Sequence, residues 1–117
     1  MTSLPYLYSD MVTGSGKKIF ERFKTKFGHY PNAMSQAGYA YADVVVEGLK
    51  NAGRNLTTDS LLSGLESIKN HPHPFKKEFL IGFSPTKHQG SNESVLYQVK
   101  NKRWVSPVPG KMISLTY

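Results

Sequence analysis

Ser35-Gln36-Ala37-Gly38-Tyr39-Ala40-Tyr41-Ala42-Asp43-Val44-Val45-Val46-Glu47-Gly48-Leu49-Lys50-Asn51-Ala52-Gly53 is the stretch whose reading decides the fold. Together with Met34, apolar or small residues recur at Ala37, Tyr41, Val44, Val45, Gly48, Leu49 and Ala52. That is the three-and-four spacing of an amphipathic helix, predicted over 34–52. Gly53 stands where the left-handed residue that closes a helix belongs. After a short polar link, Leu61, Leu62, Leu65 and Ile68 repeat the pattern, predicting a second helix over 58–69. Thr57 or Thr58 can cap it, and Asp59 in its first turn suits the helix dipole. Two such helices joined by a short link pack most simply as an antiparallel pair. The expected shared core is Val45, Leu49, Leu62 and Leu65. Val44, Val45 and Val46 span too wide an arc for one partner helix, so a sheet is expected to cover the remainder.

Upstream, Leu4 to Val12 is apolar and aromatic around Pro5, an extended lead-in or edge strand. Gly14-Ser15-Gly16 reads as a break, with Ser15 capping a helix over 15–27. Ile19, Phe20, Phe23 and Phe27 share one face of that helix and are expected in the core. Gly28 ends it. Downstream, Asn70 to Pro74 reads as a proline-broken loop. Glu78 to Phe83 has strand composition, and Val95 to Lys100 alternates with a period of two. Asn101-Lys102 then fits a tight hairpin turn before a return strand at Trp104-Val105. The tail from Lys111 to Tyr117 is another apolar run with no evident partner. The fold class is therefore α/β, three helices followed by short strands that include a β-hairpin, with residues 1–117 read as a single unit. There is no internal repeat and no low-complexity segment.

The order of these segments resembles the C-terminal portion of a type 1 periplasmic solute-binding protein, in the branched-chain amino acid branch that serves ABC importers. Pro31, Gly38-Tyr39, Gly48-Leu49-Lys50-Asn51-Ala52-Gly53 and Leu61 to Leu65 carry the resemblance. Phe83-Ser84-Pro85, His88-Gln89-Gly90, Val95 to Lys100 and Arg103-Trp104-Val105 continue it. Such proteins are longer and fold as two lobes, so the resemblance implies part of one lobe. It departs from the family's pattern after Gly38-Tyr39, where Ala40-Tyr41 stands in place of an acid and alanine. No role for that acid is carried over.

The resemblance implies a receptor that closes over a small amino acid or related carboxylate and presents it to an ABC permease, with no cofactor and no bond made or broken. The turn that opens the helix before Gly38-Tyr39 faces the ligand cleft in that family. This makes Met34, Ser35, Gln36 and Tyr39 the candidate ligand-binding residues, against the plainer reading of Met34 and Tyr39 as core or helix-entry residues. It also implies a periplasmic or lipid-anchored extracellular location within a full receptor. This chain itself has neither a secretory signal nor the roughly 20 apolar residues of a membrane span. As a gene product complete in itself, such a chain would be expected in the cytoplasm.

Net charge is +7, which raises a basic nucleic-acid-binding domain as the alternative, with Tyr6, Tyr8, Tyr97 and Trp104 as stacking groups. The basic residues occur singly or as the pairs Lys17-Lys18 and Lys76-Lys77, so a solvated surface is the preferred reading and no nucleic acid is expected. The absence of cysteine excludes disulfides and thiol chemistry. His29, His71, His73 and His88 match no zinc spacing, so no metal is expected. Gly14-Ser15-Gly16-Lys17-Lys18 lacks the spacing of a phosphate loop. No nucleophile elbow is present, so the chain is not expected to be an enzyme. Asp43, Glu47 and Glu66 read as solvent-facing acids on helices. A lobe fragment would leave Val44–Val46, Phe79–Phe83 and Met112–Leu115 without partners, so self-association of the isolated piece is expected.

Overall fold

A computed structural model describes residues 2–3, 7, 9, 11–108 and 113–114. The element order is β1 (Thr2–Ser3), α1 (Gly14–Phe27), α2 (Ala33–Ala52), α3 (Thr58–Glu66), β2 (His71–His73), β3 (Lys76–Ile81), β4 (Glu93–Ser94), β5 (Leu96–Lys100), β6 (Arg103–Val105) and β7 (Ile113–Ser114). The chain divides into two compact units, residues 1–37 with 92–117, and residues 38–91.

The first unit holds α1, the opening of α2 and two small antiparallel sheets. One sheet has the order β1-β5-β6, and the other pairs β4 with β7. Val12, Phe20, Val95 and Tyr97 are its buried apolar residues among those described. The β5–β6 turn has φ of 53° at Asn101 and 61° at Lys102, both left-handed. Such a pair matches the right-handed twist of the flanking strands, which is why an asparagine-led dipeptide suffices without glycine. Lys100 pairs with Arg103 across it. The partner that the C-terminal apolar run lacks in sequence is β4, with Glu93 opposite Ser114 and Ser94 opposite Ile113.

Three readings of this unit are corrected. Gly14-Ser15-Gly16 is the first turn of α1 and not a break. Thr13, not Ser15, holds the extended N-cap position, with no side-chain cap bond. Glycine's cost applies to helix interiors, so a glycine-rich opening is tolerated. Phe27 is not core but 52% exposed, because α1 ends at Gly28 (φ 78°) and its last turn stands clear of cover. The remaining residues of the Leu4–Val12 lead-in (Tyr6 and Tyr8 among them), and Met112 and Leu115, lie outside the described residues.

In the second unit the decisive contact is between α2 and α3. A Cβ on Gly64 would meet the Gly48 carbonyl oxygen and lie 2.8 Å from Ala52 N. A Cβ on Gly48 would lie 2.8 Å from Leu65 Cγ. The helices therefore touch through Gly48, Ala52 and Gly64, backbone against backbone. Asn51 seals the contact, donating from Nδ2 to Gly64 O at 3.2 Å and to Ser67 Oγ at 3.0 Å. This overturns the expected core. Val45 is 46% exposed, and Leu49, Leu62 and Val46 are also exposed. Leu65 alone of the expected four is half-buried and reaches the contact. A face of small residues has replaced the face of large ones, because close approach needs room and not bulk.

Helix α3 begins with the expected Thr57 cap. Thr57 Oγ1 accepts from Ser60 N at 3.1 Å, and Ser60 Oγ accepts from Thr57 N at 2.8 Å. The helix stops at Glu66, three residues short of the expected end. Ser67 Oγ donates to Gly64 O at 2.7 Å, a local bond of the kind that competes with helix continuation. The expected loop at Asn70–Pro74 is instead a strand over its middle. His71–His73 pairs antiparallel with β3 across a register shift between Pro72 and His73. A two-stranded hairpin leaves one side of each strand unpaired, and there Pro72 needs no N–H.

Gly64→Ala should destabilise the chain by about 1–3 kcal/mol, the usual cost of forcing atoms into a packed contact. Gly38→Ala on the same helix pair, where a Cβ meets nothing within 4 Å, should be neutral or stabilising by up to about 1 kcal/mol. Urea melts of both variants measure the contrast; equal effects would show that the helices do not touch at Gly64.

Candidate ligand-binding surface

Asn32 positions the first turn of α2. Its Oδ1 accepts from Ser35 N at 2.9 Å and from Ser35 Oγ at 3.1 Å, the N-cap geometry that satisfies an otherwise unpaired helix donor. Pro31, just before it, is buried. Met34 is 79% exposed and Ser35 half-buried. Gln36, between them and the body of the unit, is 4% exposed. Its Oε1 accepts from Leu7 N at 3.0 Å, and its Nε2 donates to Leu7 O at 2.9 Å and Pro31 O at 3.1 Å. Both amide donors are spent on backbone carbonyls, so Gln36 fixes Leu7 to the start of α2. The structure thus brings together Met34, Ser35 and Gln36 at one helix opening, Met34 open to solvent, Ser35 half-buried against Asn32 and Gln36 consumed internally.

Tyr39 belongs to the second unit. It is exposed, with its ring 5.4 Å from that of Phe75 and tilted by 50°. A cluster that the sequence reading missed surrounds this pair. His71 Nε2 lies 2.7 Å from Asp43 Oδ2, tying α2 to β2. The ring of His73 stands 5.7 Å from that of Phe75 and 6.2 Å from that of Phe79. Phe75 N donates to His73 Nδ1 at 3.3 Å, which places any ring proton of neutral His73 on Nε2. Burial lowers the His73 pKa below its ordinary 6.5, against an opposing pull from Asp43. His88 Nε2 lies 2.8 Å from Glu66 Oε1. Asp43 and Glu66 are therefore half-buried tethers, correcting their reading as solvated acids. Alternation was the available signal: His71 and His73 straddle an exposed Pro72, as residues on one face of a strand do.

In the first unit burial also pushes the Tyr97 hydroxyl above its ordinary 10.0. Tyr97 is 4% exposed, so the expectation that it could stack on a base does not hold. Among the described residues no group of three or more His, Cys, Asp or Glu is placed to hold a metal ion. No described helix is long and apolar enough to cross a membrane.

A family model described as periplasmic binding protein matches residues 1–103. The chain belongs to the periplasmic binding protein family. The family is one of binding proteins, and the α/β order of helices and short antiparallel strands matches part of its fold. The crystal structure of a leucine binding protein, LivK, from Thermotoga maritima superposes with a TM-score of 0.66 at 18% identity. The match covers 96% of this chain and 30% of that one. At that identity the likeness is one of fold, and the chain spans 30% of the length of the leucine-binding protein. No curated protein sequence matches.

Gln36→Ala would strand the Leu7 and Pro31 backbone groups and should cost about 1–3 kcal/mol, whereas Met34→Ala should stay within about 0.5 kcal/mol. Thermal melts of the two variants check this, and a silent Gln36→Ala would show that the amide bonds carry no stability.

His73 sets a pH dependence. Its folded pKa lies below the unfolded one, so its neutral form supports the fold above about pH 6.5. That support is lost as pH falls from the unfolded value through the folded one. Melting temperature from pH 7 to pH 5 should therefore fall more steeply in the wild type than in His73→Gln. Parallel profiles would remove His73 from the account.

Proposed function

We propose that this chain is part of an extracytoplasmic solute receptor that binds a small amino acid or related carboxylate by lobe closure and delivers it to an ABC permease. The family match over residues 1–103 is the observation that carries the reading. The chain acts without catalysis and works in the periplasm or tethered outside the cell. Residues 1–117 serve as a single α/β unit, the C-terminal fragment of a two-lobe receptor.

Met34, Ser35 and Tyr39 supply ligand contacts, and Gln36 contributes by holding the opening of α2 in shape. The exposure of Met34 and Tyr39 and the partial exposure of Ser35 support this division, as does the saturation of the Gln36 donors. Further ligand contacts come from the rest of a receptor. Val44–Val46, Phe79–Phe83 and Met112–Leu115 are packed by that remainder, and the isolated chain self-associates through them; Val45, Val46 and Leu80 among these are exposed. A contiguous apolar surface is uncommon on a soluble monomer.

Calorimetry with leucine, isoleucine and valine tests the reading in two arms. The 117-residue chain alone should give no saturable heat. A chimera that joins it to the N-terminal lobe of the leucine-binding protein should bind at least one of the three, and should lose affinity on Tyr39→Ala. Saturable binding by the chain alone would overturn the half-site reading, and a folded chimera that binds nothing would overturn the receptor assignment. Light scattering of the isolated chain should show an oligomer; a monomer at every concentration would end the self-association proposal.

A further inference from the structure

The positive charge of this protein is not evenly shared. Residues 1–37 with 92–117 carry nine Lys and Arg against three Asp and Glu; residues 38–91 carry six against five. Five of the nine fall on α1 as Lys17, Lys18, Arg22, Lys24 and Lys26, all exposed. The single acid of that helix, Glu21, accepts a hydrogen bond from Tyr30 Oη at 3.0 Å. Lys17, Lys18 and Arg22 make no ion pair among the described residues.

Helical geometry puts Lys18 and Arg22 on the arc away from Phe20 and Phe23, Lys17 and Lys24 together along one border of the apolar arc, and Lys26 along the other. Between those borders the exposed ring of Phe27 stands at the helix end. A cationic arc beside an exposed aromatic is the composition of a helix that lies in a membrane interface, with lysine stems reaching past the apolar edge to the headgroups. We propose that α1 docks this unit on a surface of anionic phospholipid, with Phe27 entering the headgroup boundary.

The same side chains argue against nucleic acid. A stacking platform needs a free ring face. Phe27 packs on Phe23 with centroids 4.5 Å apart, and Lys26 Nζ stands 5.4 Å from the Phe27 centroid. Lys24 Nζ covers Tyr30 at 4.5 Å, and Tyr97 is buried. With Phe23 packed on it and Lys26 over it, Phe27 is a poorer platform for stacking than a free ring.

Flotation of the 117-residue chain with vesicles tests the proposal. The chain should float with vesicles of phosphatidylglycerol in phosphatidylcholine, stay behind with pure phosphatidylcholine, and release as salt is raised. Lys17→Gln/Lys18→Gln/Arg22→Gln should weaken binding by at least about tenfold. Phe27→Ser should weaken it while leaving the salt dependence in place. Lys76→Gln/Lys77→Gln, in the other unit, should change nothing. Equal binding to the two vesicle types, an unaffected triple variant, or tighter binding to a single-stranded oligonucleotide than to the vesicles would each overturn the proposal.

Discussion

The second unit rests on an absence of side chains. Where α3 meets α2, Gly64 has no Cβ, and the Gly48 carbonyl and the Ala52 backbone occupy the space one would need. Dispersion attraction between backbones depends on such close approach, since a gap of even half an ångström forfeits a large part of it. The Asn51 amide then spans the seam to Gly64 and Ser67, so polar groups exposed by thin packing still find partners. The rotation of α2 follows from this contact. Once Gly48 and Ala52 face α3, Val45, Val46 and Leu49 are turned outward.

That rotation explains which parts of the fold were legible. Signals carried by one or two residues survived: the Thr57 cap, the left-handed Gly53 (φ 77°) and the Asn101-Lys102 turn. Each is a local backbone requirement that packing elsewhere leaves unchanged. The buried face of α2 depended on the partner, and a count of apolar residues rewards bulk where this contact rewards smallness. The small pair Gly48 and Ala52 was visible in the sequence, but its meaning required knowing that a second backbone passes beside it. His71 and His73 were obscured for a different reason. Pro72 and Pro74 suggest a loop, and only pairing with β3 shows that a hairpin accommodates the first of them.

The candidate site was legible as a place in the chain. Family order located the opening of α2, and the exposure of Met34 and Tyr39 is compatible with contact to a ligand. The division of labour there could not be read, because glutamine serves equally as a ligand group and as a backbone clamp. Burial and geometry separate the two roles: Gln36 sits where both its donors meet carbonyls. Charge was legible in total and not in distribution, since Lys17 to Lys26 reads as scattered cations until the chain is divided into units.

The Gln36 clamp closes the backbone at Leu7 to strand addition. A backbone N–H and C=O left free side by side invite another chain to add as a strand. At Leu7 both groups are held by a single side-chain amide, which presents the same donor and acceptor that an intruding strand would bring. The helix thus acts as a counterfeit strand for one residue. Because the counterfeit is tethered to α2, it cannot propagate as a true strand would. Leu7 is held by a cap that cannot be extended.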